Sequence, residues 1–209
     1  MMCTGIGEMD RFLGGSLLPG TILDIYGPGG AGKTQALIQI TSGVVQAGYK
    51  VGYIDATGSF RPERIRDICQ DDSALDRIQV CRVTNVVEQM ASIHRFDDVS
   101  MVVLDNVTDL FTYEYYKENK QYIRNQRFAT HMQEMSCLAL SRRIPIIISN
   151  MMRYSGGENI ENLDYIIDLY THVKLHLAGP PKYAAHLSLA HREMQFQYVI
   201  THTGIRSIS

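Results

Sequence analysis

The chain has 209 residues, 45% of them hydrophobic and 20% charged, with a formal net charge of −2. These values predict one domain over residues 1–209 that buries roughly 70% of its unfolded surface, and they argue against a strongly basic nucleic-acid binder. No apolar run reaches the ~18 residues of a membrane span, and MMCTGIGEMD lacks the basic-then-apolar order of a signal peptide. The expectation is a cytoplasmic protein with no membrane partner.

Strand and helix patterns alternate along the chain. TILDIY (21–26) is a short apolar run ending at a glycine-rich loop, and Lys33 to Gln46 carries a helical stripe of Leu37, Ile38, Ile40, Val44 and Val45. VGYID (51–55) reads as a strand ending in Asp55. Pro62 then opens a helix running to about Cys69. RIQVCRV (77–83) reads as a strand, Val86 to Arg95 as a helix and SMVVLD (100–105) as a buried strand. A long helix from about Tyr122 to Arg142 precedes the apolar IPIIIS (144–149). After residue 170, YTHVKLHLA, YAAHLSLA and MQFQYVITHT alternate as antiparallel strands do. The fold class expected is α/β, a mostly parallel sheet flanked by helices with C-terminal antiparallel strands. Cys3, Cys69, Cys81 and Cys137 form no C-x-x-C pair and read as reduced structural thiols. His172 and His176 fall on one polar face of a strand and read as structural rather than metal-binding.

GPGGAGKT, from Gly27 through Pro28, Gly29, Gly30, Ala31 and Gly32 to Lys33 and Thr34, matches G-x-x-x-x-G-K-[ST] between a strand and a helix. Its glycines let backbone N–H groups converge on phosphate oxygens at the positive end of a helix. Lys33 would pair with β- and γ-phosphates, while the Thr34 hydroxyl and Asp105, at the end of SMVVLD, would hold Mg²⁺. Nucleotide binding follows from the motif and its setting together.

The loop extended to Gln35 (GKTQ), with IDATGSFRPER (54–64), resembles the RecA/RadA superfamily of recombinases. FTYEYYKENKQYIRNQRFATHM (111–132), IIISN (146–150) and the ending VITHTGIRS are similar to further stretches of that superfamily, whose fold is a RecA-like P-loop NTPase core. A chain in which that core begins at once resembles core-only archaeal paralogues of the RadB type. The resemblance implies ATP and Mg²⁺ as cofactors, Arg64 near adenine, and a role in DNA recombination and repair. It also implies single-stranded DNA and a RadA-type recombinase or another paralogue as partners.

Departures from the pattern bear on activity. Thr57 stands where the family carries the glutamate that polarises the attacking water, and Met151 where a glutamine senses the γ-phosphate. A threonine hydroxyl is no base at neutral pH and a thioether is a weak acceptor. Loss of a general base costs about 10²–10⁴ in rate, which predicts binding with slow or absent hydrolysis. No Phe-x-x-Ala occurs, so self-polymerisation through that motif is not expected. The family's first DNA loop corresponds to about Thr112–Arg127, where Tyr113 and Tyr115 offer rings for bases and Lys117, Lys120, Arg124 and Arg127 offer charge for phosphates. A shorter second loop is expected at about Met152–Leu163. Two alternatives stay open: a working DNA-dependent ATPase that takes its carboxylate from a neighbouring subunit, and a protein-interaction subunit using ATP only for structure.

Overall fold

A strand inside a parallel sheet is covered on both faces and needs a nearly unbroken apolar run. The computed structural model, which describes residues 1–155, 157–202 and 204–208, builds its centre from such runs. In chain order the elements are α1 (Gly7–Leu13), β1 (Ile22–Gly27), α2 (Lys33–Gln46), β2 (Val51–Asp55), α3 (Pro62–Cys69), β3 (Ile78–Arg82), α4 (Val86–Ser92) and β4 (Met101–Asp105). There follow α5 (Asp109–Glu114), α6 (Gln121–Arg142), β5 (Ile146–Ser155), β6 (Glu158–Glu161), α7 (Asp164–Ile167), β7 (Val173–Ala178), β8 (Ala184–Leu189), β9 (Arg192–Thr201) and β10 (Gly204–Ile208).

The sheet order is β10-β9-β8-β7-β1-β5-β4-β2-β3. From β7 to β3 every pair is parallel, and β7 through β10 pair antiparallel. This is the α/β architecture expected: a mostly parallel sheet flanked by helices, extended by C-terminal antiparallel strands. Side chains alternate across each strand. Leu23, Ile25, Met101, Val103 and Ile147 therefore face one core, with Phe12 of α1, Leu37 of α2 and Ile65 of α3. Ile22, Val102, Leu104, Ile146 and Ile148 face the other, with Val86 of α4, Phe111 of α5 and Phe128 of α6. The Phe111 and Phe128 rings meet edge to face at 5.1 Å between centroids. Truncating either to alanine would cost about 3–5 kcal/mol.

One residue breaks the apolar rule. Asp24 in β1 is fully buried, in register with Lys174 of β7. The Lys174 ammonium lies 3.8 Å from Asp24 and 2.5 Å from Glu161, and also pairs with Asp168. Burial first, and the Glu161 carboxylate second, hold Asp24 well above the usual carboxylate range, while Lys174 works the other way.

Three expectations are revised. The stretch matched to the family's first DNA loop, about Thr112–Arg127, is largely helical: Tyr113 belongs to α5, Arg124 and Arg127 lie in α6 as the helix expected from about Tyr122 implied, and only the connection carrying Lys117 and Lys120 lies between them. Core-facing Phe111 in α5 and the Phe128, Met132, Met135 stripe in α6 supply the helical spacing responsible. The strand expected to end at residue 149 instead runs to Ser155 and turns back as β6, with Ser155 opposite Glu158. The second expected loop is thus a β-hairpin for much of its length, though Gly156 within it lies outside the described residues. Helix α4 stops at Ser92, short of Arg95.

Candidate nucleotide site

The C-terminal ends of β1, β2, β4 and β5 come together, which is where open α/β sheets hold ligands. Register places Asp55 beside Asp105 and Gly27 beside Met151. Between them opens a cleft of about 320 Å³, whose lining includes Lys33, Thr34, Thr57, Asp105, Asp109 and Met151.

The loop leading into α2 is tightly built. A Cβ on Gly27 would lie 2.2 Å from the Leu177 carbonyl oxygen, so β7 passes too close for any side chain there. Gly32 caps α2 at φ +95°, a left-handed conformation natural to glycine. Adding a Cβ to Gly29 or Gly30 would meet no neighbour, so their backbone is open toward the cleft. Ala31 is buried, and its carbonyl accepts a 2.6 Å hydrogen bond from the Tyr198 hydroxyl of β9. The C-terminal strands thereby brace the loop from behind. Pro28 supplies a carbonyl that, like that of Gly27, accepts from the Lys33 ammonium at 2.9 Å. Burial lowers the Lys33 pKa from its ordinary value, and Asp105 and Asp109 oppose that shift.

Asp105 is surrounded by hydroxyls. Ser149 donates at 2.5 Å and Thr34 at 2.7 Å; Tyr53 and Ser59 approach at 3.3 and 3.5 Å. Tyr53 is held neutral, its pKa raised first by burial and then by Asp105 and Asp55. The Thr34 hydroxyl and Asp105 carboxylate, two hard oxygen donors 2.7 Å apart on the cleft lining, fit Mg²⁺, which takes one or two protein oxygens and keeps several waters. Held there, Mg²⁺ would neutralise charge on phosphate oxygens.

Asp55, though at its strand's end, faces its own turn. One oxygen accepts from the Gly58 and Ser59 amides at 2.8 and 3.1 Å and the other from the Phe60 amide at 3.3 Å. Thr57 lines the cleft, but its hydroxyl already bonds Asp55 at 3.3 Å and contacts the Ser59 hydroxyl. Met151 brings a thioether to the same lining. The neighbouring Asn150 is buried: it accepts from Thr108 at 2.6 Å and donates to Glu161 at 3.0 Å and to the Asn162 carbonyl at 2.8 Å. The cleft edge is therefore bonded directly to the base of the β5–β6 hairpin.

Arg64 stands one layer back, donating at 3.0 Å to Gln35, which lines the cleft, and at 3.0 Å to the His202 carbonyl. His172 is used structurally, its Nδ1 accepting the Ile22 amide at 3.3 Å, and His176 stacks on Tyr26. Among the residues singled out for DNA, Tyr113 is 80% exposed, and Lys117, Lys120 and Arg127 are exposed too. Tyr115 is half-buried against the core with Arg127 over its ring at 5.9 Å, and Arg124 folds back onto Asn125. Tyr116 and Tyr122, at 72% and 78% exposure, extend the aromatic surface. Sequence reasoning passed over Asp109, Ser59 and Tyr198; only the four-residue step from Asp105 hinted at the first.

A family model described as Rad51 matches residues 1–164. The chain is 31% identical over 156 residues to the DNA repair and recombination protein RadB of Thermoplasma acidophilum, covering 71% of this chain and 66% of that protein. RadB of Pyrococcus abyssi is 28% identical over 168 residues, covering 76% and 69% of the two chains. RadA of Ignicoccus hospitalis is 29% identical over 171 residues, covering 71% of this chain and 52% of its own length. With a RecA-like sheet, a phosphate loop joined to Asp105 and a family match over most of its length, the chain belongs to the Rad51 family, with RadB proteins among its near relatives.

Proposed function

We propose that this chain binds ATP with Mg²⁺ in the cleft, turns it over slowly or not at all, and acts as an accessory in DNA recombination and repair. The observation that carries the reading is the composition of the cleft: Lys33, Thr34 and Asp105 converge there, while Thr57 and Met151 contribute neither carboxylate nor amide. A typical turnover of about 10 s⁻¹, reduced by about 10²–10⁴ for a missing base, leaves roughly 0.001–0.1 s⁻¹. Single-stranded DNA, a RadA-type recombinase, or both are the partners. Exposed Tyr113, Tyr116 and Tyr122 beside Lys117, Lys120 and Arg127 support a surface that stacks bases and tracks phosphates.

The test measures ATP binding and phosphate release on wild type, Lys33→Ala and Thr57→Glu, each with single-stranded DNA. Wild type should bind and release phosphate slowly, Lys33→Ala should lose about 10- to 150-fold in affinity, and Thr57→Glu should hydrolyse faster. Brisk wild-type turnover above about 1 s⁻¹ would overturn the reading.

A further inference from the structure

The cleft contains a second carboxylate whose work is unaccounted for. Asp109, the first residue of α5, lines the same cleft as Lys33, Thr34 and Asp105. Asp105 is occupied by the hydroxyls of Ser149, Thr34, Tyr53 and Ser59. Asp55 is spent on its turn, and the Thr57 hydroxyl is engaged with Asp55 and Ser59. The Asp109 carboxylate, by contrast, makes no hydrogen bond or ion pair among the described residues. Of the two carboxylates on the cleft lining, Asp105 is the one placed to hold Mg²⁺ with Thr34, and Asp109 is the one with no hydrogen-bond partner among the described residues.

We infer that Asp109 is the proton acceptor for whatever ATP hydrolysis this chain performs, in place of the carboxylate that position 57 lacks. The inference rests on ATP occupying the cleft as proposed above. In the step, a water oxygen attacks the γ-phosphorus as the bond from that phosphorus to the bridging β–γ oxygen breaks. The water proton passes to the Asp109 carboxylate and then to solvent, leaving ADP and inorganic phosphate. Burial, and next the charge of Asp105, raise the Asp109 pKa above the ordinary carboxylate value, while Lys33 limits the rise.

The experiment pairs a fluorescent-ATP binding titration with single-turnover phosphate release, at varied Mg²⁺, on wild type, Asp109→Asn, Asp109→Glu and Lys33→Ala. Asp109→Asn should bind nucleotide as tightly as wild type or tighter, since a negative charge has left the neighbourhood of the phosphates. Its phosphate release should fall by about 100-fold or more, with the Mg²⁺ dependence of binding unchanged, and Asp109→Glu should retain part of the rate. Three results would each overturn the assignment alone: hydrolysis by Asp109→Asn at the wild-type rate; a loss of Mg²⁺-dependent binding that tracks the loss of rate; or a wild type that binds ATP and releases no phosphate. Failure of wild type to bind ATP at all would overturn the nucleotide reading as well.

Discussion

Replacing Lys174 with methionine removes the cation shared by two buried carboxyl groups, Asp24 and Glu161, and by the exposed Asp168. Asp24 is fully buried, and among the described residues neither of its oxygens has a hydrogen-bond partner. Its compensation is the Lys174 ammonium 3.8 Å away. Burial works to lower the Lys174 pKa, but its bonds to Asp168 and Glu161 reverse this and raise it, so the lysine stays charged through neutral pH. Breaking a buried pair from one side costs about 3–5 kcal/mol. The Lys174 side chain keeps 22% exposure, which points to the lower end, about 3 kcal/mol. For a chain of this size that is a fall in Tm of about 6–12 °C.

The sign of the pH dependence follows from Asp24. A carboxyl group whose native pKa lies above its unfolded value contributes stability that is complete below the unfolded value and is lost as pH rises through the native one. Losing Lys174 removes an influence that lowers the Asp24 pKa. The deficit of the variant should therefore be largest near neutrality and shrink on acidification, as Asp24 takes up a proton. Thermal unfolding followed by circular dichroism from neutral to mildly acid pH measures both effects. Adding Asp24→Leu should recover part of the lost stability, because it removes one of the two buried carboxyl groups that lose their cation, Glu161 being the other. An unchanged Tm at neutral pH, or a double variant no more stable than the single one, would refute the reasoning.

Tyr198→Phe leaves the Ala31 carbonyl without its donor, a loss of about 1–3 kcal/mol. It should lower the Tm and weaken ATP binding, since the brace lies directly behind the phosphate loop; calorimetric titration with ATP checks the second effect. Tyr113→Ala combined with Tyr122→Ala should weaken single-stranded DNA binding by about 1–3 kcal/mol per stacked base. Fluorescence anisotropy reads this, and the salt slope should persist because the lysines remain. Tyr115→Ala should act mainly on stability, because its ring packs on the core.

Local patterns were readable from the chain alone because their physics is local. The phosphate loop depends on glycines at fixed spacing, the buried strands on unbroken apolar runs, and the C-terminal strands on strict alternation. Asp105 was legible as the end of such a run, and Thr57 and Met151 as substitutions within stretches that resemble the family. The β5–β6 hairpin was less so: its Gly-Gly step is a recognised turn signal, but the residue types flanking it, MMRYS and ENIE, lack a strong strand pattern. The tyrosine-rich stretch was read as a loop from the family resemblance, although the helix from about Tyr122 was legible in the periodicity.

A loop matching G-x-x-x-x-G-K-[ST], an apolar strand ending in Asp105 and a mostly parallel sheet were all written in the chain's local patterns, as were the departures at Thr57 and Met151 from the pattern the chain resembles. Which side chains are left without partners follows instead from contacts distant along the chain. Hydrogen bonding turned Asp55 inward to its own turn and occupied Thr57, and a contact 167 residues away in sequence placed Tyr198 on Ala31. The same packing brought Asp109 into the cleft with no hydrogen-bond partner for its carboxylate among the described residues. Reactivity of this kind depends on what remains unbonded after folding, and that is settled by the whole fold rather than by neighbours along the chain.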